Sequence, residues 1–95
     1  MYLVQLSVNP PPHGGELPGG IREVIAACAS EADALEHVSV LPFARPRPVI
    51  GLFLRAASPA LAEESARCLW YKAASLHPPL VGWELSLAEV PLLLP

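Results

Sequence analysis

Positive charge is scarce in this chain, cysteine is scarcer, and no apolar run is long. The 95 residues carry six Lys and Arg against nine Asp and Glu, a formal net charge of -3. Arg22, Arg45, Arg47, Arg55, Arg67 and Lys72 are scattered over four predicted elements, whereas a nucleic-acid surface gathers its cations on one face. No nucleic-acid partner is expected. The two cysteines, Cys28 and Cys68, fall in separate predicted helices without metal-ligand spacing, which reads as two free, inert thiols serving as small core residues. The longest apolar runs are far too short to cross a bilayer. The start, Met1-Tyr2-Leu3, has neither a basic segment nor a long apolar one, so no secretion signal and a cytoplasmic location are expected.

Catalytic and ligand motifs are missing as well. HExxH, CxxC and EF-hand patterns are absent, so no metal is expected at His13 or His77. Gly14-Gly15 and Gly19-Gly20 precede a helix but lack the GxGxxG spacing and the P-loop lysine of a phosphate cradle. No GxSxG elbow exists for serine hydrolysis. Any chemistry here is expected to run without a cofactor.

What is abundant is apolar surface: 53% of residues are hydrophobic and only 16% charged. Ninety-five residues make one domain, with a low ratio of buried to exposed surface that favours pairing. The apolar residues fall into four strand-like and two helix-like runs. Tyr2, Val4, Leu6 and Val8 alternate with Leu3, Gln5 and Ser7, the period of a half-buried strand over 2–8. A Pro/Gly loop over 9–20 follows. Ile21, Val24, Ile25, Cys28 and Ala32 then repeat at three and four, predicting a helix over 20–32. A strand is expected over 35–41, with Val38 and Val40 on one face and His37 and Ser39 on the other. After a Pro/Arg hairpin loop over 42–48, residues 49–54 are apolar on both faces around Gly51, the pattern of an interior strand covered on both sides.

Ser58-Pro59 is a helix start, with Ser as N-cap and Pro in the first turn, and the helix is expected to reach Leu76. Leu61, Ser65, Cys68, Leu69 and Leu76 lie near its apolar stripe, and Glu63 with Arg67 has the spacing of a surface ion pair. Trp70 and Tyr71 are adjacent and cannot both face the core, which makes Trp70 a candidate ligand contact. Trp83, Leu85 and Leu87 alternate with Glu84, Ser86 and Ala88 in a last strand over 83–90. The tail over 91–95 is apolar and is expected to lie on its own chain or on a second copy.

The order strand, helix, strand, strand, helix, strand predicts an α+β fold, the split βαβ, ferredoxin-like βαββαβ sandwich with a four-stranded antiparallel sheet and two helices on one face. With strand order four, one, three, two, the face away from the helices collects Gln5, Ser7, His37, Ser39, Glu84 and Ser86. His37, Glu84, Gln5 and Ser7 are the candidate catalytic groups on this face. Ser39, Ser86, Arg47 and Trp70 are the candidate substrate contacts. His37 suits proton transfer near neutral pH, and Glu84 beside Gln5 and Ser7 suits a base if desolvated. His37 and Glu84 lie on opposite edge strands, so they approach each other only across a dimer whose sheets pack face to face.

Element order, length and the doubly apolar third strand resemble the dimeric α/β-barrel proteins, small ferredoxin-like domains whose sheets pack in pairs. The resemblance is one of topology, not of motif. It implies a homodimer or higher even oligomer and a cofactor-independent enzyme that tailors a small molecule or modified peptide in bacterial secondary metabolism, binding an apolar or peptide-derived substrate in the dimer cavity. The competing expectation is a non-catalytic accessory module that binds a ligand or docks a protein through the same surface.

Overall fold

A computed structural model of the chain describes residues 1–91. Its elements run β1 (Tyr2–Asn9), α1 (Ile21–Cys28), a 3-10 turn (Glu31–Asp33), β2 (Leu35–Leu41), β3 (Val49–Leu54), α2 (Pro59–Leu76), a second 3-10 turn (Pro78–Leu80) and β4 (Glu84–Glu89). The four strands form one antiparallel sheet in the order β2-β3-β1-β4. This is the expected α+β architecture and is compatible with a ferredoxin-like sandwich. Among the described residues no helix is long and apolar enough to cross a membrane. Of the apolar tail over 91–95, all but Pro91 lies outside the described residues.

One face of the sheet makes the core. Val4, Leu6 and Val8 of β1 and Ile50, Leu52 and Leu54 of β3 are fully buried beneath Ile21 and Ile25 of α1 and Ala62, Ala66, Leu69, Trp70 and Ala73 of α2. Each such aliphatic side chain contributes about 1.5–3 kcal/mol relative to leaving it in water. Ser58 caps α2 as its spacing to Pro59 predicts: the Leu61 amide donates to its Oγ at 3.2 Å. The buried face of α2 is turned from the expected stripe, however. Leu61, Cys68 and Leu76 are exposed, because the helix packs through its alanines and Trp70, and the small side chains let it approach the sheet closely. Trp70, 1% exposed, is thus a core residue, and Tyr71 is the exposed member of the pair.

Three further expectations are corrected. First, α1 ends at Cys28, not at Ala32, because Ala29 is extended and Ser30 starts a local turn of its own. The Ser30 amide and hydroxyl both donate to Asp33 Oδ2, at 2.7 and 3.1 Å, a local bonding pattern that competes with helix continuation. Lys72 of α2 then donates to the Cys28 carbonyl at 3.0 Å and lies 3.5 Å from Asp33 Oδ2. It thereby supplies the positive charge that a helix C-terminus favours and α1 itself lacks. Second, Glu63 accepts a hydrogen bond from the Val90 amide at 3.0 Å, tying the end of β4 to α2 where a surface pair with Arg67 was expected.

Third, β4 carries an irregularity. Ser7 pairs with Leu87 but Val8 pairs with Leu85, so Ser86 is an extra residue bulged between them. The bulge reverses the side-chain phase for the rest of the strand. Ala88, expected on the open face, is buried opposite Leu6, and Leu87, expected in the core, is 47% exposed opposite Ser7.

The 9–20 loop is anchored to the core by buried Pro11 and Leu17. Pro11 packs on Gly82, which has φ +88° and would bring an added Cβ within 2.8 Å of the Pro11 ring. Gly82→Ala combines a left-handed backbone with a rigid clash and is expected to cost about 1–3 kcal/mol, read as a lower urea midpoint with unchanged slope. A second expectation concerns acid. Burial pushes the Asp33 carboxyl up, but the Ser30 hydrogen bonds and Lys72 outweigh it, so its pKa lies below the ordinary 3.8. The stabilisation is therefore complete above the unfolded-state value and lost as pH falls through the lower folded value. Asp33→Asn should cost about 1–2 kcal/mol at pH 7, reduced by the partial exposure of Lys72, and in urea titrations the gap to wild type should narrow as the pH falls below the ordinary carboxylate range.

Candidate functional site

The open face of the sheet is a grid whose rows are set by strand register. Residues opposite each other in antiparallel strands share a face. One row reads Leu3, Phe53, His37 from β1 to β2. The next reads Glu89, Gln5, Gly51, Ser39 from edge to edge, and the third reads Leu87, Ser7, Val49, Leu41. Asn9 and Glu84 are opposed beyond them. Two largely apolar rows therefore flank a central polar one. Leu87 and Leu41 are 47% and 58% exposed at the two edges of the third row, while Leu3, Val49 and Phe53 are half-buried.

Gly51 sits in the middle of the polar row. An added Cβ there would meet Ser39 Oγ at 2.6 Å and Leu3 Cδ1 at 3.2 Å, so these two side chains already close over the glycine from either side. That is why an all-apolar β3 needs only a glycine at this point. His37 leans on Phe53 with ring centroids 5.6 Å apart and planes tilted by 49°. Arg47 donates from Nη1 to Ser86 Oγ at 2.9 Å, which links the hairpin before β3 to the bulge of β4. Two of the candidate substrate contacts are thus brought together.

The candidate catalytic groups are not. Gln5 and Ser39 flank Gly51, and Ser7 lies one row away. His37 and Glu84 occupy opposite corners. His37 is level with Leu3 and Glu84 with Asn9, roughly 20 Å along the strands and about 14 Å across three strand spacings. Glu84 does not stand beside Gln5 as expected, because the register opposes it to Asn9, and beyond the bulge it is Glu89 that comes level with Gln5. Glu89 is the carboxylate that sequence reasoning missed. The signal was present: Trp83 and Leu85 mark one buried phase and Ala88 and Val90 the other, and the three-residue step from Leu85 to Ala88 requires one extra residue between them. Trp70 lies on the helix side and takes no part in this face.

Concave surface lies at the rim. A cleft of about 470 Å³ runs between α1 and the outer edge of β2, lined by Arg22, Ala26, Ala29, Leu35, His37 and Val38 among others, and a second of about 300 Å³ continues it past Gly20 to Val40 and Pro42. A third of about 250 Å³ lies between Glu16 and the 42–48 loop. No group of three metal-ligating side chains occurs among the described residues. The chain matches no family model, no curated protein and no solved structure.

The thiols differ from the expectation of two core residues: Cys28 is half-buried and Cys68 is exposed. Labelling of the native protein with an aromatic disulfide reagent should therefore be biphasic, with one thiol reacting at nearly the rate of a free peptide and lost in Cys68→Ser, and the second at least about tenfold slower.

Proposed function

We propose that the chain is a non-catalytic docking module that acts through the open face of its sheet, with a second copy of itself as the occupant. The observation that carries this reading is the pattern of the face: apolar rows, one with an exposed leucine at each edge, flank a polar row, and among the described residues no helix covers them. Surface of this composition is what interfaces bury. Four strands at about 4.8 Å and rows at about 6.7 Å make a plane of roughly 400 Å² per copy. This is smaller than the about 800 Å² per partner of a standard interface, so the pair is expected to be weak and concentration-dependent.

A second reading is favoured by the central row. Glu89, Gln5 and Ser39, with His37 one row away, would be desolvated together between two sheets, where a carboxylate and an imidazole serve proton transfer. In that reading the pair is a cofactor-independent processing protein for an apolar or peptide-derived substrate.

Sedimentation velocity over the range of a few to several tens of micromolar tests both. The docking reading expects a monomer–dimer equilibrium that Leu87→Lys shifts to monomer with an unchanged far-UV spectrum. A wild-type monomer at the highest concentration overturns it. A dimer whose turnover of a candidate substrate falls about tenfold or more in Glu89→Gln, with pairing intact, replaces it by the second reading.

A further inference from the structure

We propose that the outer edge of β2, with α1 as the second wall, binds an extended peptide segment as a fifth strand, one with apolar side chains at positions i and i+4 and a carboxylate at i+2. This site is separate from the open face and does not depend on pairing there. Two hydrogen bonds fix which backbone groups of β2 are free. The Val8 amide donates to the Pro48 carbonyl at 3.2 Å, and the Arg55 amide donates to the Ala34 carbonyl at 3.0 Å. Backbone groups alternate in direction along a strand, so residues 50, 52 and 54 of β3 turn theirs to β1 and residues 49, 51 and 53 turn theirs to β2. Through the register, His37, Ser39 and Leu41 bond β3, and the N–H and C=O of Val38 and Val40 point away from the sheet. Among the described residues no other element bonds them. Val38 is nevertheless only 3% exposed and Val40 half-buried, so these groups are poorly hydrated and an added strand is their complement. The other edge is guarded: β4 carries Glu84, Glu89 and the Ser86 bulge, whereas residues 37–41 of β2 are regular and hold no Lys, Asp, Glu or Pro.

The spacing of the two clefts beside β2 sets the side chains of the occupant. In an added strand the side chains level with Val38 and Val40 point to the α1 side. One cleft reaches along β2 from Leu35 to Val38 and the other from Val40 to Pro42, so their centres lie roughly 15 Å apart along the strand. Side chains on one face of a strand recur at about 6.7 Å, which places i and i+4 about 13 Å apart, one in each cleft, with i+2 between them. Ala26, Ala29 and Leu35 give the first cleft its apolar wall, and Leu17, Ile21 and Val40 the second. Arg22 is the residue that lines both. It is exposed and makes no ion pair or hydrogen bond among the described residues, so a carboxylate at i+2 supplies its missing partner. Glu23 and Glu31 line one cleft each and disfavour acidic side chains at i and i+4. A second copy is a poorer occupant. Pairing β2 with β2 through Val38 and Val40 sets a two-fold axis at Ser39, presents valines where the carboxylate is wanted, and brings Arg22 close to Arg22 of the other copy.

The test is a titration of the nitrogen-15-labelled protein with the blocked peptide Thr-Val-Thr-Glu-Thr-Val-Thr, whose symmetry serves either strand direction. The amide signals of Val38 and Val40 are expected to move downfield and saturate below about 1 mM peptide. Methylating the peptide's Val and Glu amides, or instead the Thr amides between them, separates strand addition from other modes. One alternate set should cost at least about tenfold in affinity and the other less than about threefold, because only one set faces β2. Arg22→Glu, on the exposed side of α1, should weaken the peptide at least about fivefold, and Lys in place of the peptide's Glu should restore binding to this variant. No saturable shift, shifts that map away from β2 and α1, or equal losses from the two methylated sets overturn the site. An unaltered affinity in Arg22→Glu overturns the carboxylate at i+2. Val38 and Val40 signals that move with protein concentration in the absence of peptide name a second copy as the occupant and overturn the peptide.

Discussion

One-sided burial of the β1 and β3 pair beneath α2 is the constraint from which the rest of the molecule follows. Val4, Leu6, Val8, Ile50, Leu52 and Leu54 take every second position of the two central strands and are fully buried. That leaves the intervening positions, Leu3, Gln5, Ser7, Val49, Gly51 and Phe53, on the other side, where none of the described helices covers them. Two helices cover one face of a four-stranded sheet and no more, so the apolar half of that second set is a consequence of how β3 is composed, not of how the domain packs. The function of the molecule, wherever it is exercised, has to reckon with this face.

The bulge in β4 belongs to the same constraint. Near the start of β4, Trp83, just before the strand, and Leu85 pack into the core. Towards its end it passes beneath α2, where Ala88 is buried and Glu63 holds the Val90 amide. The large residues and the small one are three positions apart, an odd step, and a regular strand cannot bury both. Inserting Ser86 resolves the conflict and sends Leu87 and Glu89 to the open face as a by-product. An exposed leucine and the carboxylate of the polar row are therefore side effects of packing the opposite face. The same device recurs at the far edge, where Glu36 is passed over between Leu35 and His37 and pairs instead with Arg55.

How much of this can be read from the residues depends on the length scale of the interaction that decides each feature. The six elements are local or pattern-level facts: alternation in β1, the Ser58-Pro59 cap of α2, and the Pro-rich breaks all act within a few residues, whereas the strand order was supplied by the ferredoxin-like topology that the element order suggests. The end of α1 was missed although its cause is also local, because the apolar stripe from Ile21 runs on to Ala32 while the Ser30 to Asp33 hydrogen bonds end the helix against that stripe. The turn of α2 about its axis follows from steric fit. Leu61, Cys68 and Leu76 are more hydrophobic than Ala62, Ala66 and Ala73, yet the alanines are buried, with Leu69 and Trp70, because their small side chains leave room to seat Trp70 against the sheet. For the site, Gln5, Ser7, Ser39 and His37 were placed on the open face by alternation alone, and Glu84 was exchanged for Glu89 because the deciding contact lies on the other side of the sheet.

A face patterned in rows is more selective than a uniform one. An all-apolar sheet face accepts any apolar surface in any register, which makes it a site of aggregation, and an all-polar one gains little by leaving water. Here the apolar rows gain from burial, but the Glu89, Gln5, Ser39 row between them cannot be dried without a donor for the carboxylate and partners for the amide. The two demands are met together only by a surface that offers apolar, polar and apolar rows at the same spacing. Shifting a partner by one row along the strands sets Glu89 against leucine and Leu87 against a polar group, so the polar row penalises wrong registers more than it rewards the right one. The spacing of that penalty is fixed by the pleat of β1 and by the bulge that carries Glu89 into line with Gln5.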